Sequence, residues 1–163
     1  MLIEKVISGS QTGADQGGLE AALELGLPTG GWIPKGFLTE EGKKPELGEK
    51  FNLTEHESPN YVPRTYTNVR DSDATIIFSS NWQSRGTICT QKAIQQYNKP
   101  FAEVPVTKGV SPGIVDMEDS IGLVKALLKR EDIKVLNVAG NRESVCPGIQ
   151  ELVKEYMLQL LRS

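Results

Sequence analysis

Short uncharged runs alternate with amphipathic helical patterns along most of the chain. Apolar and β-branched runs predict strands near residues 5–8, 29–33, 74–78, 101–104 and 135–138. Between these runs, apolar residues recur at spacings of three and four, which is the spacing along one face of a helix. Strands that alternate with helices predict an α/β protein of the Rossmann type, with a parallel sheet of about five strands and helices on both faces.

The predicted helices lie between and after these strands. The first follows the first strand and ends at Gly26, because glycine caps helices and Pro28 comes soon after. A short helix is predicted over 64–70, and longer helices are predicted near 87–97, 117–128 and 149–160.

Residues 34–63 are rich in Gly, Pro, Lys and Glu and show little periodicity. This stretch is predicted to be a long loop. Loops of such length are usually functional covers, subunit contacts or disordered links, and a cover over a ligand site is one of these interpretations.

The composition narrows the class of protein. A length of 163 residues fits a single domain spanning 1–163, which is long enough to bury a core. A net charge of −3 without a long Lys/Arg cluster argues against a nucleic-acid surface, which needs basic side chains to neutralise phosphates. No apolar run is long enough to span a membrane, and two cysteines provide neither a disulfide framework nor metal-ligand spacing. We therefore expect a cytoplasmic protein without a metal site of its own.

The first predicted strand ends in a turn that suits an anion. In open parallel sheets, ligands bind beyond the carboxyl ends of the strands, where helix N-termini direct backbone amides at them. The turn at 9–13 can bring backbone close to a phosphate, because glycine lacks a Cβ. It is neither a Walker A loop nor a G-x-G-x-x-G loop, which disfavours a standard ATPase or NAD enzyme. The alternative is that its glycines serve only a tight turn.

Two later turns have the same position at the end of a strand. The turn at 81–90 places a glycine and two threonines at a helix start, and the turn at 140–144 supplies an amide and an arginine. Both turns suit phosphate binding, but ordinary helix caps or a surface loop would have the same residues. The candidate ligand-binding residues of the three turns are Gly9, Ser10, Gln11, Thr12, Gly13, Asp15, Gly86, Thr87, Thr90, Asn141 and Arg142.

Two arginines bracket the short helix before the central strand. The guanidinium group suits bidentate binding of phosphate or carboxylate, so Arg64 and Arg70 complete the candidate ligand site. The alternative is a salt bridge to Asp71 or Asp73. We favour ligand binding for Arg64 and leave both interpretations open for Arg70.

Several other polar and aromatic residues have a structural interpretation. Thr12 and Asp15 form a T-x-x-D pattern, so one of them is predicted to accept amide hydrogen bonds at the helix start. His56 is isolated from any partner motif and is expected to be exposed. The cysteines are expected to be buried and unreactive, and the tryptophans to pack, although each could stack on a planar ring. These residues are Cys89, Cys146, Trp32 and Trp82.

Four separated stretches of the sequence form a recognisable set. They are SGSQTGAD at 8–15, YVPRTYTNVRDSDAT at 61–75, the Gly86-Thr87 turn with Thr90, and NVAGNRES at 137–144. In this order they resemble the molybdenum cofactor carrier family, and the resemblance spans essentially the whole chain. That family is similar in fold to a wider Rossmann-like group, which includes phosphoribohydrolases once labelled lysine decarboxylases and nucleotide-sensing proteins.

The resemblance implies a carrier that binds the molybdenum cofactor, a pterin with a terminal phosphate, before transfer to molybdoenzyme apoproteins. The phosphate would lie at the glycine turns. Relatives are similar in forming homo-oligomers, and the last predicted helix has apolar residues on more than one side, at Met157, Leu158 and Leu161. We therefore expect self-association as well.

The related hydrolases carry a P-G-G-x-G-T-x-E-E pattern whose acidic residues serve cleavage of a glycosidic bond. The corresponding stretch here keeps Gly86 and Thr87 but has Cys89 and Thr90 at the acidic positions. Loss of that carboxylate removes general acid–base assistance, which favours a carrier. Two alternatives stay open. One is a nucleotide-binding enzyme that cleaves the N-glycosidic bond of a nucleoside monophosphate through Asp15 or Asp71, and the other is a nucleotide sensor.

Overall fold

The computed structural model of the protein describes residues 3–162. In chain order, its elements are β1 (Lys5–Ile7), α1 (Ala14–Glu24), β2 (Thr29–Gly30), β3 (Trp32–Ile33), β4 (Leu38–Thr39), β5 (Gly42–Lys43), α2 (Glu46–Phe51), β6 (Thr54–Glu55), α3 (Tyr61–Arg70), β7 (Ala74–Ser79), α4 (Arg85–Tyr97), β8 (Phe101–Pro105), α5 (Met117–Arg130), β9 (Val135–Gly140) and α6 (Ile149–Leu161).

Five strands form one parallel sheet in the order β2-β1-β9-β7-β8. The central strand is β9, which pairs with β1 on one side and with β7 on the other. The carboxyl ends of these three strands therefore lie side by side at one edge of the sheet. The predicted Rossmann-like α/β fold with five parallel strands is confirmed.

Helices cover both faces of the sheet because its central strands are apolar on both sides. Ile76 and Val138 belong to the main core, which also contains buried side chains of α1 and α6. The next residue of β7, Ile77, lies on the opposite face and packs with Val69 of α3 and Ala93 of α4. Burying a large aliphatic side chain of this kind contributes about 1.5–3 kcal/mol.

The predicted strand at 29–33 is divided in two. β2 joins the main sheet, whereas β3 pairs with β6 in a separate two-stranded sheet. Gly31 separates them with a φ of 125°, and a Cβ at this position would lie 2.1 Å from the carbonyl oxygen of Ser8. Only glycine fits this close approach between the end of β1 and the chain leaving β2.

The prediction of a long loop over 34–63 is wrong. This region contains the antiparallel β4–β5 hairpin, α2, β6 and the start of α3. Its strands are two residues long and α2 is six residues long, so none of them produces a hydrophobic period that the sequence could reveal.

Two further helical predictions need adjustment. α3 begins at Tyr61 rather than at residue 64, because Pro63 lies in the first turn, where a helix needs no N–H donor. In α6, Met157 is fully buried, and Leu158 and Leu161 pack against the main core. The apolar residues that suggested self-association are therefore used within the chain itself.

Candidate functional site

A cavity of about 350 Å³ lies at the edge of the sheet where β1, β7 and β9 end. Residues of all three predicted turns line it, together with side chains from α3 and from the start of α4. Ligand cavities in proteins commonly measure about 300–1,000 Å³, so this one can hold a small organic molecule.

The glycines of the first turn permit two close approaches. A Cβ at Gly9 would lie 2.2 Å from Nη1 of Arg64. Gly13 has a φ of 87°, and a Cβ there would lie 2.3 Å from the carbonyl oxygen of Asn141. A side chain at Gly13 would collide with backbone, and one at Gly9 would displace the Arg64 guanidinium, so these glycines let the arginine and the β9 turn pack directly against the first turn.

A buried charged pair lies beside this turn. Nη1 of Arg64 is 3.8 Å from Oδ2 of Asp15, and the same carboxylate oxygen accepts the N–H of Gln11 at 3.2 Å. Burial raises the pKa of Asp15 to about 6, although Arg64 and the Gln11 amide act in the opposite direction. Burial also lowers the pKa of Arg64, against the attraction of Asp15, but an arginine stays charged in proteins.

Arg64 retains unused hydrogen-bonding capacity. Nη1 donates to the hydroxyl of Thr65 at 3.2 Å, whereas Nε is buried and has no acceptor among the described residues. A buried polar group without a partner usually costs about 1–3 kcal/mol. This guanidinium is therefore a strong candidate for contact with an anionic ligand.

The second turn lines the cavity where α4 begins. The hydroxyl of Thr87 lies 3.0 Å from that of Ser79 and accepts a hydrogen bond from the Ser84 hydroxyl at 2.8 Å. The hydroxyl of Thr90 donates to the carbonyl of Gly86 at 3.1 Å. The hydroxyls thus hold the turn in place, and the first residues of α4, whose amides lack intrahelical acceptors, line the cavity.

The third turn connects the ends of β9 and β7. Oδ1 of Asn141 accepts the backbone N–H of Ser80 at 2.7 Å and its hydroxyl at 3.0 Å. Because the oxygen is used in this way, the NH₂ group of Asn141 is the part left for a ligand. The next residue, Arg142, lines the cavity as well.

The β4–β5 hairpin contacts the first and third turns through Glu40. Its carboxylate accepts a hydrogen bond from the hydroxyl of Thr12. It also accepts two from Ser144, one from the hydroxyl at 2.5 Å and one from the backbone N–H at 3.2 Å. Burial raises the pKa of Glu40, but the hydrogen bonds from Ser144 and Thr12 outweigh it and hold the pKa below its ordinary value. No pattern in the sequence singles out Glu40.

The structure brings most of the predicted site residues to the cavity. Those that line it are Gly9, Gln11, Asp15, Arg64, Gly86, Thr87, Thr90, Asn141 and Arg142. Ser10, Thr12 and Gly13 belong to the first turn without lining the cavity. Arg70 lies elsewhere, exposed at the end of α3, where its Nε is 2.8 Å from Oδ1 of Asp71. This is the salt bridge that the sequence left open.

The T-x-x-D pattern does not form a capping box, although Asp15 does accept a backbone amide beside the helix start, as predicted. The N-cap of α1 is Gly13, which makes no side-chain capping bond. The Thr12 hydroxyl donates to Glu40, and Asp15 accepts the N–H of Gln11, which precedes the helix. The positive φ of Gly13 changes the chain direction between Thr12 and the helix, so the usual capping geometry does not form.

The isolated aromatic and histidine side chains have structural partners. His56 was expected to be exposed, but it is half-buried. Its Nδ1 accepts the N–H of Ser58 at 3.1 Å. Nε1 of Trp32 donates to Asp71 at 2.8 Å, and Trp82 packs against the smaller core cluster. Neither tryptophan lines the cavity.

Both cysteines are buried, as predicted. Burial raises the pKa of the Cys89 thiol, although a hydrogen bond with Thr65 and the charge of Arg64 act in the opposite direction. A raised thiol pKa disfavours the reactive thiolate, which agrees with the expectation of an unreactive residue.

One wall of the cavity is not among the predicted site residues. This wall consists of Tyr61, Thr65 and Asn68 on α3. The spacings of four and three residues place these side chains on one helical face, and that spacing was the available signal. The predicted helix begins at residue 64, so Tyr61 falls in the predicted loop and the shared helical face is not visible in that prediction.

Within residues 3–162, no group of three or more His, Cys, Asp and Glu side chains is arranged to hold a metal ion. The described helices also include none that is both long and apolar enough to cross a membrane. The charged side chains among the described residues that line the cavity are those of Arg64, Arg85, Arg142 and Asp15.

These features define a Rossmann-like α/β protein with a ligand-sized cavity at the carboxyl edge of its sheet. The model of the circularly permutated YpsA SLOG family matches residues 6–161, and the chain belongs to this family. Its fold is similar to a crystal structure from Syntrophus aciditrophicus SB named "Putative molybdenum carrier protein", with a TM-score of 0.86 and 34% sequence identity over 98% of this chain and 95% of that chain. No curated protein matches the chain. The family and the structural neighbour support the resemblance to molybdenum cofactor carriers.

Proposed function

We propose that this chain binds the molybdenum cofactor and carries it to molybdoenzyme apoproteins. The terminal phosphate of the cofactor would bind in the cavity at the ends of β1, β7 and β9. The observation that carries this proposal is the buried Arg64, which lines the cavity beside the glycine turn and whose Nε has no acceptor among residues 3–162. The similar structure named as a molybdenum carrier supports the carrier role.

The charge of the cavity suits a phosphate monoester. Arg64, Arg85 and Arg142 line it, and Asp15 is the carboxylate among its described lining residues. Three arginines and one carboxylate leave two positive charges, which matches the charge of a phosphate monoester dianion. Arginine also forms paired hydrogen bonds with phosphate oxygens, so both charge and geometry favour this ligand group.

The size of the cavity suits a ligand larger than a simple ion. Its volume of about 350 Å³ leaves room for an organic group beside the phosphate. Tyr61 and Asn68 line the part of the cavity contributed by α3, and Tyr61 is 40% exposed. An accessible aromatic ring can stack on a planar heterocycle such as a pterin.

A nucleotide-cleaving enzyme is the second candidate, because a nucleoside monophosphate has the same phosphate group. Asp15 favours it, since a buried carboxyl with a pKa of about 6 can exchange a proton near neutral pH. Asp71, the other carboxylate considered, bonds to Arg70 and Trp32 and does not line the cavity. A nucleotide-cleaving reaction in this cavity would therefore depend on Asp15 as its carboxylate.

The test is to purify the protein without oxygen from a host that makes molybdenum cofactor, followed by native mass spectrometry and metal analysis. We expect the wild-type chain to retain a pterin together with molybdenum. Arg64→Gln should lose at least about tenfold of this ligand, because the neutral amide cannot replace the guanidinium. Arg130→Gln is the matched control, since Arg130 is exposed on α5 and pairs with Glu131.

Arg142→Gln provides a second variant of the cavity, because Arg142 is exposed and its replacement should not disturb folding. Equal ligand content in both cavity variants and in Arg130→Gln would show that the phosphate binds elsewhere. A bound nucleotide, or release of a base from nucleoside monophosphates that stops in Asp15→Asn, would replace the carrier with the enzyme. A chain that retains no phosphate-bearing ligand and cleaves none would contradict both.

A further inference from the structure

Glu40 connects two of the turns that border the cavity, although its own side chain does not line it. It lies at the tip of the β4–β5 hairpin, between the two short strands. Its carboxylate receives hydrogen bonds from Thr12 in the first turn and from Ser144 in the third turn. One carboxylate from a surface hairpin therefore holds the chain after β1 against the chain after β9.

The backbone of Glu40 orients Gln11, which lines the cavity. Oε1 of Gln11 accepts the N–H of Glu40 at 2.8 Å and the N–H of Thr12 at 3.1 Å. These two donors identify Oε1 as the amide atom that faces the hairpin. The NH₂ group of Gln11 donates no hydrogen bond to the described part of the chain and remains available to a ligand.

The side chain of Glu40 acts in the same way on the third turn. Ser144, which it holds through two hydrogen bonds, lies two residues after Arg142. The Thr12 hydroxyl also accepts the N–H of Glu143 at 3.3 Å, so Thr12 and Glu40 together fix residues 143 and 144. Arg142 is directly attached to this fixed segment and lines the cavity.

We propose that Glu40 is a positioning residue of the ligand site, which sets the places of Gln11 and Arg142 without touching the ligand. This role rests on the proposed binding of a phosphate group in the cavity. Long polar side chains lose conformational entropy when they bind, and a contact that fixes them beforehand removes part of this cost. The hairpin thus contributes to affinity through the residues that it holds.

Electrostatics alone predicts the opposite effect, which makes the role testable. Removal of a negative charge near a phosphate site should strengthen phosphate binding. If the Glu40 carboxylate instead positions the site by holding Thr12 and Ser144, Glu40→Ala, which keeps the backbone N–H to Gln11, should weaken the binding of inorganic phosphate by about tenfold, measured by isothermal titration calorimetry. Glu40→Gln should bind at least as tightly as the wild type, because its amide can satisfy Thr12 and Ser144 without the charge.

Glu41→Ala is the matched control. Glu41 is the adjacent residue of the same hairpin, it is exposed, and its side chain makes no hydrogen bond to the described residues. The control should bind phosphate like the wild type. In an Arg142→Ala background, Glu40→Ala should have a smaller effect, since one of the residues that it positions is already absent.

A purely structural role would lower the free energy of unfolding of Glu40→Ala and leave phosphate affinity unchanged, which would overturn the positioning role. Unchanged or tighter binding by Glu40→Ala, or equal weakening by Glu41→Ala, would overturn it too. A wild-type chain that binds no phosphate would instead overturn the proposed function, and the positioning role with it.

Discussion

Asp15 offers a direct test of the electrostatics of the cavity through the substitution Asp15→Asn. Asparagine has the shape of the neutral acid, and its Oδ1 can still accept the N–H of Gln11 as the carboxylate does. The substitution therefore removes the charge and keeps the local hydrogen bond. Because Asp15 is 5% exposed, solvent does little to screen the cost of this charge.

The magnitude follows from the shifted pKa of Asp15, which burial raises from its ordinary 3.8 to about 6. Below pH 3.8 the carboxyl is protonated in both the folded and the unfolded chain, so it costs nothing. As the pH rises to about 6, the unfolded chain ionises first and the folded state loses stability relative to it. Above pH 6 the cost is constant at roughly 3 kcal/mol, from 1.36 kcal/mol for each pH unit of the shift.

Urea unfolding of the wild type and of Asp15→Asn at pH 4.5 and 7.5 measures this cost. We expect the free energy of unfolding of Asp15→Asn minus that of the wild type to be about 2 kcal/mol larger at pH 7.5 than at pH 4.5. The control, Asp119→Asn, changes an exposed carboxylate on α5. Its free energy of unfolding relative to the wild type should change by less than about 0.5 kcal/mol between the two pH values. A gap for Asp15→Asn that stays constant, or narrows as the pH rises, would refute the raised pKa.

Three further predictions concern the same region and a control helix. Sulfate, a dianion throughout this pH range, should bind the wild type more weakly as the pH rises through about 6, because Asp15 becomes charged, whereas calorimetry on Asp15→Asn should show no such loss. Gly13→Ala should lower the free energy of unfolding by about 1–3 kcal/mol, since its Cβ would meet the Asn141 carbonyl at 2.3 Å, and Gly9→Ala should abolish sulfate binding in calorimetry, since its Cβ would displace the Arg64 guanidinium. Gly122→Ala, where a Cβ on α5 would meet no other atom, should instead raise the free energy of unfolding by about 0.5–1 kcal/mol in urea unfolding. A lower free energy of unfolding would refute the expectation that this position has room for a Cβ.

The main sheet was predictable because its strands carry a strong local signal. β7 is six consecutive buried residues without a charge, and such a run in a chain of this pattern has few alternatives to a central strand. The three turns followed from the strands, since all parallel strands of a sheet place their carboxyl ends at the same edge. The cavity could therefore be assigned to that edge before any contact was known.

The contacts that complete the site had no local signal. Asp15 and Arg64 were each candidate site residues in the sequence, but nothing there indicated that they form a buried pair, which the close approach of Arg64 to Gly9 makes possible. Glu40 is one of many glutamates in a charged segment, and its role depends on a hairpin of two-residue strands. Long-range contacts of this kind are decided by tertiary packing, which neither periodicity nor capping patterns report.

The central place of β9 has a consequence for how the protein is made. β1 and β7 do not pair with each other. On the inner side of the sheet, each of them pairs with β9. During synthesis the chain can form the β1–β2 and β7–β8 pairs early, but they stay separate until residues 135–142 have left the ribosome. The edge that carries the cavity is complete only when β9 and the turn after it are in place, so the first half of the chain cannot hold the ligand without them.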